Sequence, residues 1–122
     1  MFDAFCRLAW VWVRVAPGVL VIEELADVTS PGKAPPAWGE IVRKGLRYGP
    51  HIYALTQRPA ESDKTVIGNA SVIHCHRMAR SMDRAYMARE LDIAQDQLDA
   101  LKPLDFIERD ATGRISSGRV KI

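Results

Sequence analysis

The stretch that most constrains the fold is Val19-Leu20-Val21-Ile22-Glu23-Glu24. Its apolar residues run without interruption and are mostly β-branched, so no polar face is offered. That pattern reads as a strand buried on both faces, as in a parallel sheet. Both carboxylates follow at once, where such a strand reaches the carboxyl edge of its sheet and open α/β sheets bind ligands. There Glu23 could hold a divalent ion such as Mg²⁺, directly or through water. Glu24 could orient or deprotonate a water molecule. The plainer reading is a strand that stops in a solvated acidic loop.

Around this strand the chain alternates. Phe2 to Val15 has apolar residues at Phe2, Phe5, Cys6, Ala9, Trp12 and Val13, one helix face, before the turn Pro17–Gly18. A loop spans Ser30 to Pro36, and Trp38 to Tyr48 reads as a helix with Trp38, Ile41, Val42 and Leu46 on one side. His51 to Leu55 is a second buried strand, ending in Thr56-Gln57-Arg58-Pro59. A loop and a short helix run to Asn69, and Ser71 to Cys75 is a third strand. Ser81–Leu91 and Ala94–Leu101 read as helices, and Asp105–Arg109 with Arg114–Val120 as a hairpin around Thr112-Gly113. Alternation of this kind predicts an α/β fold with a mostly parallel sheet, flanking helices and a C-terminal β-hairpin. Val19–Ile22, Ile52–Leu55 and Val72–Cys75 are expected to be parallel neighbours. Glu23, Glu24 and Gln57 would then meet at one sheet edge.

With 122 residues the chain suits one domain, and 48% hydrophobic against 26% charged residues is a globular balance. A net charge of +2 permits nucleic-acid contact without arguing for it. The local basic excess at Arg43, Lys44 and Arg47 reads as a solvated helix face. Cys6 and Cys75 form no CxxC pair, which fits a reducing cytoplasm. The apolar start carries Asp3, Arg7 and Arg14, is too short to span a bilayer and lacks the layout of a signal peptide.

A second constellation follows the acidic strand: Arg43-Lys44-Gly45-Leu46-Arg47-Tyr48-Gly49, then the strand from His51, then Thr56-Gln57-Arg58-Pro59. An amide at the tip of a strand beside an acid-tipped one can reach a γ-phosphate or its attacking water, and an arginine between them can reach a neighbouring subunit's nucleotide. Gln57 reads equally as a loop residue satisfying backbone groups, and Arg43 as a surface charge. In order and spacing, from Val19 to about Met78, these pieces resemble the second half of the FtsK–HerA superfamily of RecA-like P-loop motor ATPases. Pro59, Asp63, Ile67 and Asn69 also fit that family's P-x-x-x-D-x-x-x-I-x-N pattern.

The resemblance implies a partial RecA-like core from a ring-forming, homo-oligomeric, ATP-driven motor that moves or packages DNA. It implies Mg²⁺ at Glu23, the water-directing acid at Glu24, a γ-phosphate sensor at Gln57 with Thr56 and Arg58 beside it in the nucleotide site, and a trans-acting arginine at Arg43. Glu23 stands where the family usually has aspartate, and Leu46 where an arginine is common. No G-x-x-x-x-G-K-[ST] phosphate loop occurs in the sequence. The expectation is therefore a truncated or split motor whose first strand, phosphate loop and following helix precede Met1, inactive alone. The alternative is a degenerate, non-enzymatic α/β module that binds a protein partner or nucleic acid.

His74-Cys75-His76 sets both histidines on one strand face and the cysteine on the other. A structural zinc site needs four ligands and no second cluster is present, so a strand residue is the plainer reading of each. Trp10, Trp12 and Trp38 read as core residues, with Trp38 also able to face nucleic acid.

Overall fold

The computed structural model describes all residues except Lys33 and the side chain of Leu46. The expectations that Leu46 lines the apolar side of its helix and that Lys33 lies in the loop fall outside the described residues. The chain divides into two compact units, Met1–Asn69 and Ala70–Ile122.

The first unit opens with helix α1 (Phe2–Val13), which leads to strand β1 (Val19–Ile22) and the single-turn helix α2 (Leu25–Val28). Helix α3 (Pro36–Lys44) starts with a proline in its first turn, where the missing N–H is no loss. It tightens into a 3₁₀ turn at Gly45–Tyr48, so the expected Trp38–Tyr48 helix is two segments. Gly49, at φ +83°, turns the chain into strand β2 (His51–Ala54). A 3₁₀ turn at Pro59–Glu61 and helix α4 (Lys64–Asn69) complete the unit.

β1 and β2 are parallel neighbours, pairing Val19 with His51 through Ile22 with Ala54. The ladder runs on past Ala54: Leu55 N–H donates to Ile22 O at 2.9 Å, and Leu25 N–H to Leu55 O at 2.8 Å. Cys6, Ala9, Leu20, Ile22, Leu25, Trp38, Ile41 and Val42 form the core on one face of this sheet. The expectation of two buried faces is not met. Val19 and Val21 are 57% and 51% exposed, with Tyr53 and Leu55 also exposed beside them. β-branched composition reports strand propensity, whereas burial of the second face needs a covering layer that the short run cannot specify. α1 turns Cys6, Ala9 and Val13 inward, but Phe5 and Trp12 are exposed. Trp38 is fully buried.

The second unit contains β3 (Ile73–His76), α5 (Ser81–Leu91), α6 (Gln95–Asp99), β4 (Asp105–Arg109) and β5 (Ile115–Arg119). The expected hairpin is present: β4 and β5 are antiparallel, joined through Gly113 at φ +84°. Asp110 organises the turn, its Oδ1 accepting from Thr112 N–H at 2.8 Å and Arg114 N–H at 3.0 Å. The third strand departs from expectation. β3 pairs antiparallel with β4, Ile73 opposite Arg109, in a sheet separate from β1–β2. Four residues of alternating burial are compatible with either direction, so the partner is chosen by long-range pairing. Among the described residues no helix is long and apolar enough to cross a membrane.

Candidate functional site

At the carboxyl ends of β1 and β2 the chain makes a connected polar network. Glu24 leaves β1 in the left-handed region, φ 43° and ψ 70°, and directly precedes α2. For a non-glycine residue this conformation is strained by about 1–3 kcal/mol and persists only where its surroundings fix it. Here they do. The Thr56 hydroxyl donates to Glu24 Oε1 at 2.6 Å, and the Gln57 backbone N–H reaches Oε2 at 3.2 Å and Oε1 at 3.3 Å. These bonds, the Thr56 hydroxyl foremost, hold the Glu24 carboxyl below its ordinary pKa despite partial desolvation.

Thr56 is fixed in turn. Its Oγ1 accepts from Arg58 N–H at 3.0 Å and lies 3.1 Å from the Ser62 hydroxyl, which also contacts Arg58 O at 3.1 Å. The Arg58 side chain pairs with Asp27 of α2 and, at 3.4 Å, with Glu61. A second knot lies alongside. Thr29 Oγ1 donates to Leu25 O at 2.8 Å and accepts from Asp63 N–H at 3.0 Å. Asp63 is 1% exposed and caps α4 by accepting from Thr65 N–H at 3.0 Å.

Glu23, Glu24, Leu55, Thr56 and Gln57 line an open cleft of about 370 Å³ at this edge. Glu23 and Gln57 are exposed, and Glu24 and Thr56 half-buried. Of the sequence-predicted residues, Glu23, Glu24, Thr56 and Gln57 therefore come together. Arg58 does not line the cleft; it braces the loop from behind through Asp27 and Glu61. Arg43 is also absent from the lining, and its guanidinium lies against Gly39 in its own helix, where a Cβ would come within 2.9 Å of Nη2. Sequence reasoning missed Thr29 and Ser62. Thr29 acts through a contact 34 residues away and Ser62 within its own loop, and only Asp63 carried a signal, as part of the pattern after Pro59.

The chemistry of this edge is that of an anionic, acceptor-rich pocket. Glu23 offers a hard carboxylate at an exposed strand tip, a donor suited to Mg²⁺, which is usually bound by only one or two protein carboxylates. Glu24 is ionised at neutral pH and is an acceptor with fixed direction. The Gln57 side chain is left to reach outward, because its backbone makes the anchoring bond.

The sequence matches no protein-family profile. It is 37% identical over 102 residues to Protein P9 of Pseudoalteromonas phage PM2, covering 83% of this chain and 47% of that protein. Among solved structures it is similar to the genome-packaging NTPase B204 from Sulfolobus turreted icosahedral virus 2 in complex with AMPPCP. The TM-score is 0.83 at 18% identity, over 98% of this chain and 62% of that one. A crystal structure of B204, the DNA-packaging ATPase from Sulfolobus turreted icosahedral virus, gives a TM-score of 0.81 at 20% identity, again over 98% of this chain and 62% of the other. The chain thus spans about half the length of its phage relative and less than two thirds of the structures it resembles, and its α/β fold matches part of the fold of the genome-packaging NTPase B204.

Proposed function

We propose that this chain supplies the acid-tipped half of the ATP site in a DNA-packaging motor of the FtsK–HerA type. The observation that carries the reading is the clamp at the tips of β1 and β2, where Glu24 accepts from Thr56 and the Gln57 backbone beside exposed Glu23. In this reading Glu23 would hold Mg²⁺, which would supply charge neutralisation at the nucleotide's phosphates. Glu24, anionic and directionally fixed, accepts a hydrogen bond from the attacking water, aligns it and takes its proton. The Gln57 amide contacts the γ-phosphate, with Thr56 and Arg58 holding its loop. Arg43 serves the neighbouring subunit of a homo-oligomeric ring, and DNA is the translocated substrate. The phosphate-cradling loop comes from another part of the complete motor, so these residues alone neither bind ATP tightly nor hydrolyse it.

Phosphate release with ATP and Mg²⁺ tests the reading, measured on residues 1–122 and on an assembly that also contains the phosphate loop. The first should be silent and the second active. In the second, Glu24→Gln should keep nucleotide binding and abolish turnover, because an amide cannot take the water's proton. Retained turnover would remove the role. A second reading, a non-enzymatic α/β module that binds a protein partner or nucleic acid, is favoured by the lowered Glu24 pKa. A carboxylate so stabilised is a weak base and an effective structural clamp.

A further inference from the structure

The exposed face of the β3–β4–β5 sheet carries a pair of imidazoles that the proposed motor chemistry does not use. His74 and His76 alternate with buried Ile73 and Cys75, so both rings stand on the outer face and the thiol does not. His76 Nδ1 lies 3.2 Å from Asp105 O. A carbonyl only accepts, so this nitrogen carries a proton. His74 Nδ1 lies 2.7 Å from Glu108 Oε2, directly across the strand pair. An ionised carboxylate also only accepts, which puts the His74 proton on Nδ1 as well. With a single proton on each ring, both Nε2 atoms present lone pairs to each other across 3.2 Å. Apposed lone pairs repel unless an electrophile lies between them.

We propose that His74 and His76 chelate a divalent late first-row transition ion, Zn²⁺ being representative, through their Nε2 atoms. With metal–nitrogen bonds of about 2.0–2.1 Å, a 3.2 Å separation gives a bite angle of about 100°, suited to tetrahedral coordination. The rings are not end-on: their centroids are 4.8 Å apart with an interplanar angle of 64°, so the lone pairs are angled off the line joining the nitrogens. Phe106 stacks on His74 at 4.5 Å and limits its rotation. The outer bonds have the form seen around metal-bound histidines, a carboxylate on one Nδ1–H and a backbone carbonyl on the other. Imidazole pairs favour Cu²⁺, Zn²⁺ and Ni²⁺ over Mg²⁺.

Among the described residues no group of three or more His, Cys, Asp or Glu side chains is arranged to hold an ion. The site is therefore a two-ligand chelate completed by water or by a group from a partner. It differs from the closed four-ligand zinc site that the sequence alone argues against.

Calorimetric titration of the purified, chelator-stripped chain with ZnCl₂ tests the proposal. One equivalent should bind saturably, and an equal concentration of MgCl₂ should not compete. His76→Gln should weaken binding at least tenfold, and Glu108→Gln by about tenfold or more through the outer bond. Both residues lie on the exposed face, and circular dichroism checks that the variants fold. Absence of saturable binding to the wild-type chain, or binding unchanged in a folded His76→Gln variant, would overturn the site. If wild-type His74 and His76 shift together in NMR with pH but not with ZnCl₂, the pair shares a proton and the proposal fails.

Discussion

Thr56→Val removes one hydroxyl while keeping the β-branched shape, and it tests the clamp at the strand tips. Three contacts change. Glu24 loses its 2.6 Å donor, the Arg58 N–H loses its acceptor, and Ser62 loses one neighbour while keeping Arg58 O. A hydrogen bond to a charged group contributes about 1.5–3 kcal/mol, and the half-exposed setting of Glu24 puts this one near the low end. The loss expected at pH 7 is about 1–2 kcal/mol, which lowers the urea midpoint by about 0.5–1 M. The pH profile distinguishes the clamp from mere packing. The folded Glu24 pKa lies below its unfolded value of about 4.3, so the charge-assisted stability is fully present above that pH. It is lost as pH falls through the folded pKa. The gap between wild type and variant should thus be full at pH 7 and narrow below about pH 4, while Thr56→Ser stays close to wild type throughout. Equal midpoints at pH 7, or a gap of constant size down to pH 3, would refute the reasoning.

Gly118→Ala places a Cβ 2.7 Å from Phe106 Cζ, so the ring that stacks on His74 must shift. A loss of about 1–2 kcal/mol in thermal unfolding, with displaced His74 NMR signals, is expected. Burial raises both thiols, Cys6 and Cys75, to about 11. Their contribution to stability is present below the unfolded thiol pKa of about 8.5 and declines as pH rises toward 11, so denaturation midpoints should fall over that window and maleimide labelling should follow unfolding. In a reconstituted assembly of the proposed motor, Arg43→Ala subunits mixed with Glu24→Gln subunits should recover some hydrolysis at hybrid interfaces. Failure at every mixing ratio would remove the trans role.

Local signals were legible because local chemistry generates them. The apolar run at Val19–Ile22 is β1, the helix at Ser81–Leu91 has the expected bounds, and Gly113 sits at the left-handed position of the hairpin turn. The meeting of Glu23, Glu24, Thr56 and Gln57 was legible for a topological reason: residues that end adjacent parallel strands share an edge. Other features depend on distant partners. The Thr56–Glu24 bond spans 32 residues, and the exposure of Val19 and Val21 depends on what covers the sheet. The direction of β3 depends on β4, and no pattern within Ile73–His76 encodes it. The break of the helix at Gly45 and the left-handed Glu24 are backbone decisions taken by the surrounding fold.

The Glu24 clamp also couples position to acidity. The Gln57 backbone N–H is bonded to Glu24, while the Gln57 side chain lines the cleft. Any movement that draws the Gln57 loop away from β1 lengthens the bonds from both Thr56 and Gln57, because the residues are adjacent. The carboxyl then loses what holds its pKa down and rises toward its ordinary value, becoming a stronger base as it becomes freer. Movement toward β1 has the opposite effect, giving a weaker base with a more sharply fixed direction. The geometry of the Thr56-Gln57 loop therefore contributes to the proton affinity of Glu24, alongside the Arg58 charge and the Ala26 N–H. A substitution at Gln57 that shifts its backbone will change the titration of Glu24, whereas one confined to its amide will not.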